Sequence, residues 1–417
     1  MPESTVTPKT YYAGFDWAKD HHDVVIVDDQ GQIEAEFQFQ HSAAGWQEFR
    51  ERTRQFPRLL VAIETSRGAA IEQLLRSAVS LYPLHPKSAK SYRARQLPSG
   101  TKTDRYDAWA LADALRTDGH AWRPLAAIDP LVERLRLLCR DEVVLIEQRT
   151  ALVNQLQQAL QEYYPIALEA FDDWVLPAAW EFVAAFPTPK ALQVAGRRQW
   201  EKFLHVHKLA RPQTYAKRLE IFQRATQFCS GEAVTAAKSQ LALSLVRLLR
   251  TLEAQLDQYR AEIERLFREH PDHDLFGSLP GTASKLSPRL LGEVLGRPDL
   301  KGKPAALQAI AGSAPVTFQS GNFKFARLRH QCNDHLRHTV HLWADQARRV
   351  CTWAAVYYQA HRAKGQSHAD ALRRLGNRLL KILSKMLETH TCYDAELHAR
   401  NQQRHGSWVL KLQPAKP

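Results

Sequence analysis

Tyr11-Tyr-Ala-Gly-Phe-Asp16 is a short aromatic and apolar run that closes on an aspartate, and Leu59-Leu-Val-Ala-Ile-Glu64 repeats the arrangement with a glutamate. Runs of this length, apolar and rich in aromatic or β-branched residues, read as buried strands, so both acids fall at strand ends. A third stretch, Thr103-Asp-Arg-Tyr-Asp-Ala-Trp-Ala-Leu-Ala-Asp-Ala-Leu115, has helical patterning. Positions i and i+3 of a helix share a face, which sets Asp104 and Asp107 side by side. Four carboxylates, Asp16, Glu64, Asp104 and Asp107, are therefore expected to converge. Hard divalent cations such as Mg2+ or Mn2+ take oxygen donors of this kind, and two such ions can clamp the attacking and leaving oxygens of a phosphodiester.

Working outward from these acids, strand and helix patterns alternate up to about residue 125. Val24-Val-Ile-Val27 and Ile33-Glu-Ala-Glu-Phe-Gln-Phe39 flank Asp28-Asp-Gln-Gly31, a hairpin signal. A helix through Trp46 and Phe49, the Glu64 strand, a helix over 69–77, a strand over 81–84 and the Asp104 helix follow. This is the order of a ribonuclease-H-like fold. Before the last helix, Lys87, Lys90, Arg93, Arg95, Lys102 and Arg105 form a basic stretch with Tyr92 inside it and Pro98-Ser-Gly100 behind it. Beside a metal site such a stretch suits a phosphate backbone; in isolation it reads as a solvated loop.

The composition agrees with a polyanionic partner. Fifty-seven Lys and Arg against 44 Asp and Glu give the 417-residue chain a formal charge of +13, a surplus that favours nucleic acid. The length calls for two or three domains. Five scattered cysteines argue against a disulfide framework. The first residues, Met-Pro-Glu-Ser-Thr-Val-Thr-Pro-Lys, have no apolar core for a signal peptide, and no apolar run is long enough to span a bilayer. A cytoplasmic protein is the expectation.

From Leu131 the pattern is helical, with Leu131, Leu138, Leu145 and Leu152 seven apart, Leu135, Ile146, Val153, Leu156 and Leu160 beside them, and Glu142 and Arg149 interrupting the seam. Leu245, Leu249, Leu252, Leu256, Tyr259, Ile263 and Leu266 follow coiled-coil spacing more strictly. These seams must be buried against each other or against another protomer, and a homo-oligomer is expected. Residues 165–235 read as a small helical insertion. After Pro271, the Pro-Gly turn at Leu279-Pro-Gly281 leads into a helix whose backbone N–H groups suit a phosphate at Gly281. A basic helical stretch containing Lys324, Arg327, Arg329, Arg337, Arg348 and Arg349 is expected next, then a helix through Leu372 to Leu383 and a polar, mobile tail.

Six motifs in register carry a family resemblance. Gly14-Phe-Asp-Trp-Ala-Lys19, Ile63-Glu-Thr65, Lys102-Thr-Asp-Arg-Tyr-Asp-Ala-Trp-Ala-Leu-Ala112, Leu279-Pro-Gly281, Ala311-Gly-Ser-Ala-Pro315 and Gln319-Ser-Gly321 resemble those of the DEDD transposases of bacterial insertion-sequence family 110. The resemblance implies a RuvC-like catalytic domain over 1–125, a coiled-coil region over 126–272, a mainly helical Transposase-20 domain over 273–390 and a polar tail over 391–417. It implies a serine nucleophile at Ser320, metal ligands at Asp16, Glu64, Asp104 and Asp107, and strand cleavage, exchange and rejoining through a phosphoserine-linked DNA end. It also implies a structured guide RNA that pairs with donor and target DNA, and a dimer or tetramer held by the coiled-coil helices. Phe15 and Trp17 are bulkier than the family pattern around the first aspartate, and 322–327 is less glycine-rich.

Other readings compete. A RuvC-like junction nuclease needs the acids without Ser320. His335-Leu-Arg-His-Thr339 resembles the second box of tyrosine recombinases, with Tyr357 or Tyr358 as nucleophile, although Asp334 stands where that box has its first histidine. A non-catalytic nucleic-acid-binding protein needs neither. Cys332, His335, His338 and His341 have zinc-like spacing, but on one helix they spiral around the axis.

Overall fold

The run that opens the chain forms strand β1 (Tyr11–Trp17), followed by β2 (His21–Val27), β3 (Ile33–Gln40), α1 (Ala43–Thr53), β4 (Leu59–Ile63), α2 (Ala69–Arg76), β5 (Ser80–Pro83), α3 (Pro86–Gln96) and α4 (Asp104–Asp118). The computed structural model describes residues 9–65, 68–77, 79–96, 103–125, 127–226, 230–321 and 323–408. They fall into two units, one ending at residue 128 and joined by 297–299, the other comprising the remainder.

In the first unit the five strands form one sheet in the order β3-β2-β1-β4-β5. β2 runs antiparallel to β1 and β3, whereas β4 is parallel to β1 and β5 to β4. The hairpin expected at residues 28–31 is closed by the Asp28 carboxylate, which accepts from the N–H groups of Gln30 and Gln32. One face of the sheet buries Phe15, Val24, Ile26, Phe39, Val61 and Ile63 against Trp46 and Phe49 of α1 and Ile71 and Leu74 of α2. Phe15 is fully buried and stacks on Trp46 at 5.7 Å. Its bulk therefore faces away from Asp16, because neighbouring strand residues point to opposite faces. The other face carries α4, whose Ala108 and Ala112 pack on Val25 and Val27, and α3, whose Ala89 lies with Ala62, Leu111 and Leu115.

Gly14 sets how closely α4 approaches. A Cβ there would lie 1.7 Å from the Ala108 carbonyl oxygen and 2.6 Å from the Ala112 nitrogen. Only glycine lets the helix backbone rest on β1.

The second unit is mainly helical: α5 (Pro130–Tyr163), α6 (Pro165–Ala170), α7 (Pro177–Ala185), α8 (Pro189–Val206), α9 (Pro212–Gln223), α10 (Glu232–Glu269), α11 (His273–Gly277), α12 (Ala283–Leu295), α13 (Pro304–Ile310), the hairpin strands β6 (Val316–Ser320) and β7 (Phe323–Arg327), α14 (Asp334–Val350), α15 (Thr352–Ala363), α16 (His368–Thr389) and α17 (Ala395–Arg404). The two long helices pack on each other within the chain, antiparallel, as Arg134 pairs with Glu262, Arg149 with Glu253 and Glu162 with Lys238. The α10 seam is as expected, with Leu245, Leu249, Leu256, Ile263 and Leu266 buried.

The α5 seam is not. Val132, Leu135, Cys139, Glu142, Val153, Leu156, Leu160 and Tyr163 are buried, and Leu131, Leu138, Leu145 and Leu152 lie half-buried beside them. Glu142, expected to interrupt the seam, is part of it. Its carboxylate accepts from Arg289 of α12 at 2.7 Å, and Arg260 of α10 lies 3.6 Å away. A buried charge persists only when paired in this way.

The insertion closes over the far end of this helix pair. Tyr163, Tyr164, Trp174, Trp180, Phe182, Trp200, Phe203 and Phe222 form an aromatic core with Leu156, Leu160, Leu245 and Leu249. The tail expected to be mobile forms α17 and is tied down before it starts: Tyr393 N–H donates to Ser278 Oγ, and its hydroxyl accepts from Trp353 Nε1. Residues 409–417 lie outside the described residues. The four described cysteines are free.

Candidate metal centre and serine hairpin

Asp16 and Glu64 reach the same edge of the sheet for a simple reason. β1 and β4 are parallel with Phe15 opposite Ile63, so the next residue of each chain segment arrives at the same level. The carboxyl ends of adjacent parallel strands are where α/β sheets bind ligands. The start of α4 lies over this edge. Thr103 caps it by accepting from Tyr106 N–H at 3.2 Å, and Asp104 and Asp107 occupy its first turn. Negative side chains are favoured there by the helix dipole.

The electrostatics confirm proximity. Burial and the negative charges of Asp107, Asp104, Glu64 and Asp23 push the Asp16 carboxyl up to about 7. Buried Oδ1 of Asp107 has no hydrogen-bond partner among the described residues. Repelling carboxylates and an unsatisfied buried oxygen are donors that suit a hard cation, although among the described residues Asp16, Glu64, Asp104 and Asp107 are not drawn together closely enough to form one metal-binding group, and Arg93 lies between Glu64 and Asp107.

Two neighbours were not anticipated from the sequence. Asp23 stands directly across from Asp16 in the β1–β2 register, and ligand atoms of His21, Asp23 and Asp104 all lie within 4.8 Å of one another. A signal for Asp23 was present: Asp23, Val25 and Val27 alternate, and the two valines pack on α4, which puts Asp23 on the same face.

Of the basic stretch, Arg93 turns inward. Its Nη1 lies 2.6 Å from Asp107 Oδ2 and 3.8 Å from Glu64 Oε2. Arg105 pairs with Glu36, while Lys87, Lys90 and Arg95 are exposed on α3. Lys102 and Pro98-Ser-Gly100 lie outside the described residues.

In the second unit Ser320 ends β6, exposed and paired in register with Phe323. Gly321 follows with φ +54°, a conformation that favours glycine. Lys324 and Arg327, expected on a helix, lie on strand β7 instead. Phe323-Lys-Phe-Ala-Arg327 alternates with period 2, and pairing with β6 fixes it as a strand. Phe318 and Phe325 stack across the hairpin at 5.7 Å with the Arg327 guanidinium over both rings. Arg329 donates to the Ala314 carbonyl oxygen. Gly281 is tightly packed: a Cβ there would lie 2.5 Å from Ala347 N, and the preceding Pro280 carbonyl accepts from Trp343 Nε1. Ser313 of the Ala311–Pro315 motif is buried and bonds Gln308 and Asn377.

Comparison with known proteins bears on both units. A transposase family model matches residues 13–165, and one described as "Transposase IS116/IS110/IS902 family" matches 273–359. The chain is 32% identical over 399 residues, 93% of its length and 96% of the relative's, to the mini-circle putative transposase for IS117 of Streptomyces coelicolor. The chain belongs to the IS110 family of transposases. The similarity extends to the putative transposase y4uE of Sinorhizobium fredii, 32% identical over 48% of this chain and 57% of that one, and to an uncharacterized 42 kDa protein of insertion element IS900 of Mycobacterium paratuberculosis, 28% identical over 73% and 75%.

Within this IS110-family transposase the competing motifs have other occupations. Arg337 of the tyrosine-recombinase-like box donates to the carbonyls of Arg329 and His330 and pairs with Asp334. Tyr357 lies under Arg378 and beside His361, and Tyr358 bonds His368. Among the described residues, Cys332, His335, His338 and His341 do not assemble into a metal-binding group.

Proposed function

We propose that this transposase cuts and rejoins DNA through a phosphoserine intermediate at Ser320, assisted by Mg2+ or Mn2+ held by Asp16, Glu64, Asp104 and Asp107. The gathering of acids around Asp16 carries the reading: burial first, then the charges of Asp107, Asp104 and Glu64, push its carboxyl up to about 7. A sheet ordered β3-β2-β1-β4-β5 with one antiparallel inner strand supports a ribonuclease-H-like, RuvC-like domain. When bound, the cation polarises phosphate oxygens and offsets the charge that builds up on them. The Ser320 hydroxyl attacks phosphorus, its proton passing to a base, and the bond to the leaving strand oxygen breaks as that oxygen takes up a proton. The new phosphoserine ester is the bond later exchanged for the hydroxyl of another strand. Among the described residues none hydrogen-bonds the Ser320 hydroxyl.

Partners follow from charge and surface. Donor and target DNA and a structured guide RNA suit the +13 surplus, with Lys87, Lys90 and Arg95 exposed beside the acids and Lys324 and Arg327 beside the serine. The domains are read as 1–125, 126–272, 273–390 and 391–417. Although α5 and α10 bury their main seams on each other, Leu137 with Val144 and Leu241 with Leu248, each seven apart, stay exposed and supply a second stripe for a dimer or tetramer. No described helix is long and apolar enough to cross a membrane, in keeping with work on DNA in the bacterial cytoplasm.

The test is to incubate protein, guide RNA, Mg2+ and labelled target DNA and look for a covalent adduct. Wild type and the Tyr357→Phe/Tyr358→Phe double variant form it, whereas Ser320→Ala and Asp16→Ala do not. An adduct that survives Ser320→Ala overturns the serine mechanism. Cleavage without any adduct points to the junction-nuclease reading.

A further inference from the structure

We propose that the groove between α16 and α17 binds a single strand of nucleic acid, with phosphates along α16 and bases against a tyrosine floor. The site lies almost wholly beyond residues 273–359 that the family model matches, and the inference stands whether or not Ser320 performs the chemistry.

α16 has two faces. Leu372, Leu375, Leu379, Leu380 and Leu383 are buried. On the other side Arg374, Arg378, Lys381 and Lys385 line a cavity of about 670 Å3. Their spacing of i, i+4, i+7 and i+11 keeps them in one stripe roughly 16 Å long. Tyr357 and Tyr393 line the same cavity.

The charge in this groove is offset only in part. Asp370, one turn before Arg374, is close enough for the two charges to act on each other, but no carboxylate lies in the lining beside Lys381 on α16. Arg378 lies 5.5 Å from the Tyr357 ring and 5.9 Å from the Trp353 ring, and Lys385 pairs with Glu388 at 3.1 Å. The acid at the groove, Asp394, is used to cap α17, accepting from the N–H groups of Glu396 and Leu397. A row of cations beside aromatic rings is the arrangement by which proteins hold unpaired strands, backbone on the charges and bases on the rings. The volume admits a few nucleotides and is too small for a double helix.

The experiment measures anisotropy of labelled U12 RNA, dT12 and a 12-bp duplex with the full chain in EDTA, so that no cleavage intervenes. Arg374→Ala/Lys381→Ala is compared with Lys202→Ala/Lys217→Ala, which removes two exposed charges elsewhere. The groove variant should raise the Kd for single strands about tenfold and lower the slope of log affinity against log salt by about 1.4, at about 0.7 per lost phosphate contact. The control should change Kd less than twofold. Tighter binding of U12 than dT12 identifies RNA as the occupant, and the reverse identifies DNA. Photocrosslinking of 4-thiouracil strands should map to Tyr357 or Tyr393. Equal weakening in both double variants, a larger effect on the duplex, or crosslinks confined to other segments overturns the proposal.

Discussion

Arg93 Nη1 lies 2.6 Å from Asp107 Oδ2. A single guanidinium thus offsets repulsion within the acidic cluster, reaching toward Glu64 as well. It occupies the charge role that a divalent cation would take over.

Arg93→Ala should therefore tighten Mn2+ binding several-fold by removing a competing cation, while lowering the melting temperature of the metal-free protein, since removing one partner of a buried pair typically costs a few kcal/mol. Titration calorimetry and a thermal melt in EDTA check both halves. Unchanged metal affinity would show Arg93 to be a bystander.

Gly14→Ala should destabilise the first unit by about 2–4 kcal/mol, because the added methyl meets the Ala108 carbonyl of α4 and the backbone must move. Metal affinity should fall as well, as α4 carries two of the four acids. Denaturant unfolding with a parallel Mn2+ titration measures it.

Arg289→Met leaves Glu142 in the α5 seam with only Arg260 nearby at 3.6 Å. A loss of about 3 kcal/mol is expected, whereas Glu142→Leu combined with Arg289→Met should cost markedly less than the sum of the two single changes. A double-mutant cycle in urea decides this.

His22 is fully buried and hydrogen-bonded to His41 at 2.7 Å. Burial first, then the neighbouring His41 and His21, pull it down to about 4. An unfolded histidine titrates near 6.5. Below that pH the unfolded chain gains a proton that the folded chain refuses, so this stabilising contribution is complete above about 6.5 and is lost as pH falls toward 4. Between pH 7 and 4.5 wild type should lose on the order of 1–2 kcal/mol more than His22→Gln, read from urea midpoints across that range.

The acids at the ends of β1 and β4 and at the start of α4 were legible because each terminates or punctuates a periodic apolar pattern. Asp23 and His21 were harder, since a polar residue at the beginning of a strand breaks no pattern; the alternation with Val25 and Val27 gives the face of Asp23, and the register across the β1–β2 turn sets it opposite Asp16. Glu142 and Arg149 looked like interruptions because their partners, Arg289 and Glu253, lie 147 and 104 residues away, and no local rule pairs residues at such separations. Lys324 and Arg327 are spaced as on a helix face, yet the alternating phenylalanines between and beside them governed the outcome. Nothing local marked the groove of α16, whose stripe acquires meaning only when α17 folds across it.

The antiparallel pairing of α5 and α10 has a topological consequence. Asp129, which caps the start of α5, is close enough to act on His270 just after α10. Within the second unit the chain thus departs and returns at one place. The near part of the helix pair is locked to α12 through Arg140, Glu142 and Arg260, whereas the far part, with the aromatic cap at its end, is a branch whose length can change turn by turn without disturbing those contacts.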